Sequence, residues 1–184
     1  MAEFADLRAL IGPPELRPPS VLWESLEAEL GLALPADYKM LAETYPSLKF
    51  DDFLGWFHPG IPADPATTAQ GMKDVLEPLR VRLEGEEWID FIDENGGRAK
   101  RSPFPVYPEP RGVLQWGMTD NGDRCLWLTS GAPDEWTIVI ERSRWWHFQG
   151  GLIDFLVGVL TQQVQCPLFP TDFPESMDVE QSLD

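Results

Sequence analysis

The sequence has few of the residues that build catalytic and metal centres. It contains two histidines and two cysteines among 184 residues, and Cys125 and Cys166 lack the C-x-x-C spacing of zinc sites. None of the local motifs typical of zinc peptidases, serine hydrolases or phosphate-binding loops occurs. His58 precedes a turn proline and His147 lies between two aromatic residues, positions that favour structural roles. We therefore expect no catalytic residue, no cofactor and no metal, and an enzyme is the least favoured class of function.

Basic residues and long apolar runs are also scarce. The 14 lysines and arginines stand against 31 acids, which leaves a net charge of −17. Such a surface repels phosphates and anionic lipids, so we expect neither nucleic acid nor a membrane as partner, whereas a basic protein would be attracted. The apolar stretch Leu152–Leu160 contains Asp154 and falls short of the roughly 20 residues of a membrane span. Residues 1–11 lack the features of a signal peptide, so we expect a soluble, cytoplasmic protein with reduced thiols.

The composition that is present is that of a globular domain. Hydrophobic residues make up 43% and charged residues 24% of the chain, which predicts a single domain over residues 1–184. Apolar spacing predicts one helix over Phe4–Ile11, a second from an N-cap at Ser20 to Gly31, and a third from Pro35 to Tyr45.

The middle of the chain gives weaker patterns. Residues 50–57 are short and aromatic, which predicts one extended segment. Apolar residues at helical spacing over residues 72–79 predict a further helix, which Pro78 is expected to kink or divide. Residues 84–110 have poor periodicity and several prolines, which indicates an exposed loop region that varies between relatives.

The clearest pattern is a β-hairpin over residues 113–129. Its Asp120-Asn121-Gly122-Asp123 segment predicts a two-residue turn with positive φ at both central residues. Both faces of the second hairpin strand are apolar, which places this strand centrally in a sheet. Further strands are predicted over residues 136–141 and 144–148, so the sheet is expected to be an antiparallel meander.

The C-terminal part begins with the strongest amphipathic pattern in the chain. Apolar residues from Leu152 to Val164 predict a helix that covers one face of the sheet. The acidic, proline-containing tail over 167–184 is expected to be a poorly ordered strap. The whole order of elements predicts an α+β fold, in which N-terminal helices precede an antiparallel β-sheet and a C-terminal amphipathic helix packs on that sheet.

Two acidic sets are candidates for binding. The dense set in the 84–110 region consists of Glu84, Glu86, Glu87, Asp90, Asp93 and Glu94. These carboxylates are too dense to be buried, so they form a partner contact, a divalent-cation site or a solvated face. The solvated face is favoured over the cation site, because the spacing matches no EF-hand loop. Asp51 and Asp52, in a loop-like stretch, are weaker candidates. Asp120 and Asp123 resemble a fragment of a calcium loop, but the turn interpretation is preferred.

The eight tryptophans suggest either bulk for the core or exposed aromatic anchors. Trp116 and Trp127 fall on predicted strands and are expected in the core. Trp136 and Trp145 fall at loop edges, where they are candidate anchors of a protein interface. Stacking on sugar rings is a third use of such residues.

Several of these residues, taken in order, form a recognisable series. They are Leu34 just before the third predicted helix, Pro35, Tyr38 and Tyr45 within it, and then Trp116, Gly117, Asn121, Gly122, Asp123 and Trp127 in the hairpin. Together with Leu30-Gly31 and Gly150-Gly151, the series resembles the SUKH superfamily, the Smi/Knr-type domains, over a core of about residues 20–165. Pro46 departs from this resemblance, because family members often have glycine there.

The SUKH resemblance implies an α+β fold with a bent antiparallel sheet and no catalytic residues. Bacterial SUKH proteins act as immunity proteins that neutralise toxins, often nucleases, and fungal relatives act in cell-wall signalling. Nuclease domains are basic where they grip phosphates, so the charge of this chain agrees with such a partner. We therefore expect a non-enzymatic immunity-type protein whose cognate toxin is basic and encoded nearby. A regulatory or scaffold protein-binding module is the alternative, and a glycan-binding protein is the third possibility.

Overall fold

The computed structural model of the chain describes residues 2–93 and 96–184. Its α-helices are α1 (Phe4–Ile11), α2 (Trp23–Leu30), α3 (Ala36–Thr44), α4 (Pro65–Asp74), α5 (Glu77–Leu83) and α6 (Leu152–Leu160). Its strands are β1 (Ser47–Phe50), β2 (Leu54–Trp56), β3 (Ile89–Ile92), β4 (Arg98–Arg101), β5 (Val113–Thr119), β6 (Arg124–Leu128), β7 (Thr137–Glu141), β8 (Trp145–Phe148) and β9 (Val179–Ser182). The predicted α+β class is thereby confirmed.

All nine strands of the described residues join one sheet in the order β4-β3-β8-β7-β6-β5-β2-β1-β9. Neighbouring strands are antiparallel except β3 and β8, which pair in parallel. Strand β6 occupies the central position that its two apolar faces predicted. Within the described residues, no helix is long and apolar enough to span a bilayer.

Helices α3 and α6 cover one face of the sheet with aromatic contacts. Tyr38 of α3 lies edge-on to Trp127 at 4.8 Å and to Trp56 at 5.8 Å between ring centroids. Phe155 of α6 packs against Trp116 and Trp146, with ring centroids 5.9 and 6.4 Å apart. Aromatic pairs at these distances and angles add to the hydrophobic burial. The predicted packing of the C-terminal helix on the sheet is confirmed.

The N-terminus of α6 is capped from a distant part of the chain. Asp37 accepts hydrogen bonds from the backbone N–H of Ile153 at 3.2 Å and of its neighbour Tyr38 at 2.7 Å. Burial raises the pKa of the Asp37 carboxyl, and these backbone hydrogen bonds oppose the rise. A carboxylate at this end of a helix stabilises unpaired N–H groups, so Asp37 joins α3 to α6.

The predicted helices are present, with differences at some ends. Helix α2 begins at Trp23 after an N-cap at Leu22, so Ser20 is not the cap, whereas Gly31 ends the helix with φ 70° as expected. Pro78 divides the middle stripe, because α4 ends at Asp74 and Pro78 lies in the first turn of α5. Helix α6 ends at Leu160, four residues before the predicted Val164, which instead packs against Gly158.

Three predictions about extended segments are wrong. In place of one extended segment over 50–57, residues 47–56 form a hairpin, because Asp51 and Asp52 adopt positive φ values of 50° and 48° and reverse the chain between β1 and β2. The 84–110 region is not simply a loop, since it contributes β3 and β4 to the sheet. The tail over 167–184 is not poorly ordered: Phe169 and Phe173 pack against Phe53, and β9 pairs with β1.

The β5–β6 turn is longer than the predicted two-residue turn. Gly122 has φ 84°, while Asn121 is outside the positive-φ region. The Gly122 N–H donates to the Thr119 carbonyl at 2.9 Å, and the Thr119 N–H donates to the Asp123 carbonyl at 3.0 Å. These bonds are typical of a three-residue loop closed by a glycine bulge. Asp123 is buried and accepts from the Thr119 hydroxyl, so it builds the turn.

Candidate protein-binding surfaces

At one end of the sheet, Glu84, Glu86 and Glu87 precede β3, Asp90 lies within β3 and Asp93 follows it. Glu84, Glu86, Glu87 and Asp90 are exposed, as a contact surface requires. Asp93 is half-buried and accepts a hydrogen bond from the Gly97 N–H at 2.7 Å. Glu94 lies outside the described residues.

Strand β4 places basic residues beside this acidic set. Its sequence contains Arg98, Lys100 and Arg101. Lys100 forms an ion pair with Asp90 at 3.0 Å, and the Arg101 guanidinium lies 4.0 Å from the centre of the Phe91 ring. The negative charge of the segment is therefore offset locally, a consequence of strand pairing that the linear sequence does not reveal.

Asp51 and Asp52, at the β1–β2 turn, have different environments. Asp51 accepts hydrogen bonds from the backbone N–H of Glu175 at 2.7 Å and from the Ser176 hydroxyl at 2.8 Å. Burial acts to raise the pKa of Asp51, but these hydrogen bonds outweigh it and lower the pKa. Asp51 is thus an anchor for the C-terminal tail, whereas Asp52 is exposed and available for contact.

The prediction that Trp136 and Trp145 are exposed interface anchors is wrong. Both are buried: Trp136 packs against Trp127 at 5.9 Å and Trp145 against Phe104 at 5.5 Å. Trp136 directly precedes β7 and Trp145 is the first residue of β8, so both lie beside strands of the packed sheet. Trp116 and Trp127 are buried as predicted. The well-exposed tryptophan is Trp88, with 51% of its surface accessible.

A second surface arises on the sheet itself, on the face opposite α3 and α6. The strand register aligns Glu180, Lys49, Gly55 and Met118 in one row across β9, β1, β2 and β5. We call the surface formed by this row and the adjoining Phe57 the open face. Phe57 is 54% and Met118 41% exposed, although both are large apolar residues. The alternation of polar and apolar residues in β1 indicates that one face of this strand is exposed. Which residues share the row on that face depends on pairing between strands that are distant in sequence.

A groove of about 560 Å³ continues from the open face towards α4. Phe57 and Met118 line the groove on the sheet side, and Met72 and Val75 line it on the helix side. On the adjoining open face, a Cβ at Gly55 would lie 3.2 Å from the Met118 carbonyl oxygen and 3.6 Å from the Phe57 ring, so these residues are in close contact. Arg124 is the charged residue that lines the groove, and on the adjoining open face Asp120 forms an ion pair with Lys49 at 3.0 Å. An apolar centre with a charged rim is the usual anatomy of a protein interface.

The titratable groups away from these surfaces have structural roles. The His58 ring joins two elements, because its Nε2 donates to the Ala42 carbonyl at 2.8 Å while its Nδ1 accepts from the Gly60 N–H at 2.9 Å. Glu141 is buried and paired with Arg82 and Arg124, which holds α5 against the sheet. Burial raises the pKa of Glu141, and the two guanidiniums oppose that effect.

Both cysteines are free and buried. Burial raises the pKa of the Cys125 thiol well above its ordinary value and that of Cys166 to about 12. Neither thiol is therefore an activated nucleophile at neutral pH. In residues 2–93 and 96–184, no group of three histidine, cysteine or acidic side chains is arranged to hold a metal ion.

Comparison of the chain with protein-family models, with curated proteins and with solved structures found no match. The SUKH resemblance therefore stays a prediction from the motif residues. The structure gives those residues fold-building positions: Leu34, Tyr38, Tyr45, Trp116 and Trp127 are buried, and Pro35 caps α3. Such residues bear on the fold more directly than on the partner.

Proposed function

We propose that this chain is a non-enzymatic immunity-type protein of the SUKH kind, which neutralises a basic protein toxin by binding to it. The observation that carries this proposal is negative charge that is not neutralised within the molecule. The net charge is −17. The six ion pairs of the described residues engage five carboxylates, namely Glu27, Glu77, Asp90, Asp120 and Glu141.

An excess of exposed carboxylates produces a field that accelerates encounter with a basic protein. A toxin that cleaves nucleic acid needs a basic cleft to hold phosphates, and an acidic protein bound there excludes the substrate. Binding alone is then sufficient for neutralisation, so the proposal requires no chemistry of this chain.

The arrangement of the tryptophans favours protein binding over glycan binding. Sugar-binding sites use exposed aromatic rings as stacking platforms. Six of the eight tryptophans, all within the described residues, are buried: Trp56, Trp116, Trp127, Trp136, Trp145 and Trp146. Most of the tryptophan rings therefore pack in the core, and Trp88 is the one tryptophan of the described residues that is more than half exposed.

The proposal is tested by co-expression in bacteria. The protein encoded beside the gene of this chain is expressed alone and then together with the chain. We expect the neighbouring protein to be basic, to arrest growth when expressed alone, and to lose this toxicity when the chain is present. A neighbourhood without a basic toxin, or growth arrest that the chain does not relieve, would contradict the immunity proposal. Capture of several weak partners instead would favour the scaffold alternative.

A further inference from the structure

The two ends of the sheet differ in their balance of charge. At the β4 end, Asp90 pairs with Lys100, which is one of three basic residues of β4. At the β9 end, strands β1 and β2, their turn and residues 172–184 contain one basic residue, Lys49. The acids of these segments are Asp51, Asp52, Asp172, Glu175, Asp178, Glu180 and Asp184. The β9 end is therefore the more acidic of the two ends of the sheet, and we call it the acidic pole.

The one lysine at this pole is already engaged. Lys49 donates to Asp120 at 3.0 Å, and this hydrogen bond is the main cause of the raised pKa of Lys49. Glu180 lies opposite Lys49 across the β1–β9 pair. An incoming cation thus meets carboxylates on both sides of a lysine whose charge is compensated.

The apolar residues at the acidic pole are unusual because they remain exposed beside the charges. The ring of Phe57 lies over Gly55, and Met118 stands next to Gly55 in the row across the sheet. Phe57 and Met118 share this surface with the carboxylates of Asp120, Glu180 and Asp184, and the neighbouring cation Arg124 is already paired with Glu141. This setting suits an arginine, whose guanidinium binds carboxylates and stacks on aromatic rings while its stem packs on apolar surface.

We propose that the open face is the docking surface of this protein and that its ligand is an arginine-containing, partly apolar segment of a basic protein. The arginine contacts Phe57 and the rim carboxylates Asp120 and Glu180, and a neighbouring apolar side chain occupies the groove beside Met118. The identity of that protein as a toxin rests on the proposed function. The surface and its ligand chemistry rest on the contacts of the open face.

The test uses the full chain, labelled with ¹⁵N, and an eight-residue peptide that alternates arginine and leucine. We expect amide shifts at Lys49, Gly55, Met118 and Glu180 on titration, with a Kd of about 0.1 to 1 mM that weakens with salt. A peptide with glutamate in place of arginine should not bind. Absence of binding by the arginine peptide up to millimolar concentration, or shifts centred on β3 and β4, would overturn the inference.

The chain offers a matched control for each contact. Phe57→Ser is compared with Trp88→Ser, because these aromatic residues are exposed to a similar extent, 54% and 51%. We expect the first substitution to weaken peptide binding about tenfold and the second by less than twofold. Since neither side chain is buried, both variants should fold, which the amide spectrum checks directly. Equal effects of the two substitutions would refute the assignment of the surface.

The second pair isolates the charge. Asp120→Asn and Asp90→Asn each release a lysine from an ion pair of 3.0 Å, and the two aspartates are 60% and 61% exposed. We expect only Asp120→Asn to weaken the peptide complex severalfold, since its freed lysine repels the arginine. The peptide result is independent of the toxin proposal. Peptide binding at the open face without binding of the neighbouring gene product would contradict the toxin proposal and still support the open face as a docking surface.

Discussion

Substitution of Gly117 by alanine tests the close approach of β2 and β5, two neighbouring strands of the sheet. A Cβ at Gly117 would lie 2.5 Å from the backbone carbonyl oxygen of Gly55. Ordinary contacts of this kind exceed about 3.4 Å, so the two strands must move apart by much of the difference. Because the obstructing atom belongs to the backbone, no side-chain rotation relieves the contact.

The expected cost follows from two effects. Overpacking of a well-packed interior costs about 1 to 3 kcal/mol, and a weakened backbone hydrogen bond between strands costs about 0.5 to 1.5 kcal/mol. We therefore expect Gly117→Ala to lower the free energy of unfolding by about 2 to 3 kcal/mol. For a chain of this length, that corresponds to a decrease of about 5 to 10 °C in Tm, measured by circular dichroism or calorimetry.

Two other glycines provide controls with different physical causes. Gly122→Val meets no atom within 4 Å but forces a β-branched residue to φ 84°, so we expect a loss of about 2 kcal/mol from backbone strain. Gly71→Ala, in α4, also meets no atom within 4 Å and should stabilise the protein by about 0.5 to 1 kcal/mol. A Gly117→Ala protein that melts within a degree of the parent would refute the close approach of β2 and β5.

Three further predictions concern titration, thiols and metals. Burial lowers the pKa of His58 below 6.5 despite the hydrogen bond to Ala42. As pH falls below about 6.5, the unfolded chain therefore binds a proton on His58 before the folded chain does, and the free energy of unfolding decreases. Urea denaturation should show a weaker pH dependence for His58→Gln than for the parent. Cys125 and Cys166 should react with an aromatic disulfide reagent rapidly only in denaturant, and rapid native reaction would contradict their burial. EDTA should leave Tm unchanged. A decrease in Tm that one divalent ion reverses would indicate that the acidic set of the 84–94 segment binds a metal.

The elements that the sequence predicts well have local signals at their ends. Gly31 ends α2 in the left-handed conformation, and Pro35 precedes α3. The two apolar faces of β6 were sufficient to place it centrally, because only a strand with neighbours on both sides buries both faces. These features depend on neighbouring residues in the chain and so can be deduced without an alignment.

The strands that escaped prediction depend on partners that are distant in sequence. In β3, Ile89 and Phe91 alternate with the exposed Asp90, but the strand has four residues and lies among acids that favoured a loop. The β9 sequence, Val-Glu-Gln-Ser, has little β propensity and is held by pairing with β1, some 130 residues earlier in the chain.

The same reason limits prediction of the candidate site. Strand pairing brings the bases of β4 against Asp90, which weakens the acidic segment as a surface of uniform charge. Strand pairing also brings Glu180 and Met118 into one row with Lys49. Net charge and motif order are properties of the sequence, whereas the location of the charge emerges only with the register of the sheet.

Isothermal titration calorimetry with the protein encoded beside the gene of this chain directly tests whether the chain binds a basic protein toxin, as its neutralisation requires. We expect a complex of one chain with one toxin and a Kd of about 10 nM or tighter at low salt. Raising the salt from about 0.05 M to about 0.5 M should weaken the complex, mainly by slowing association. The absence of a heat of binding, or an affinity no tighter than about 10 µM that does not respond to salt, would contradict the claim.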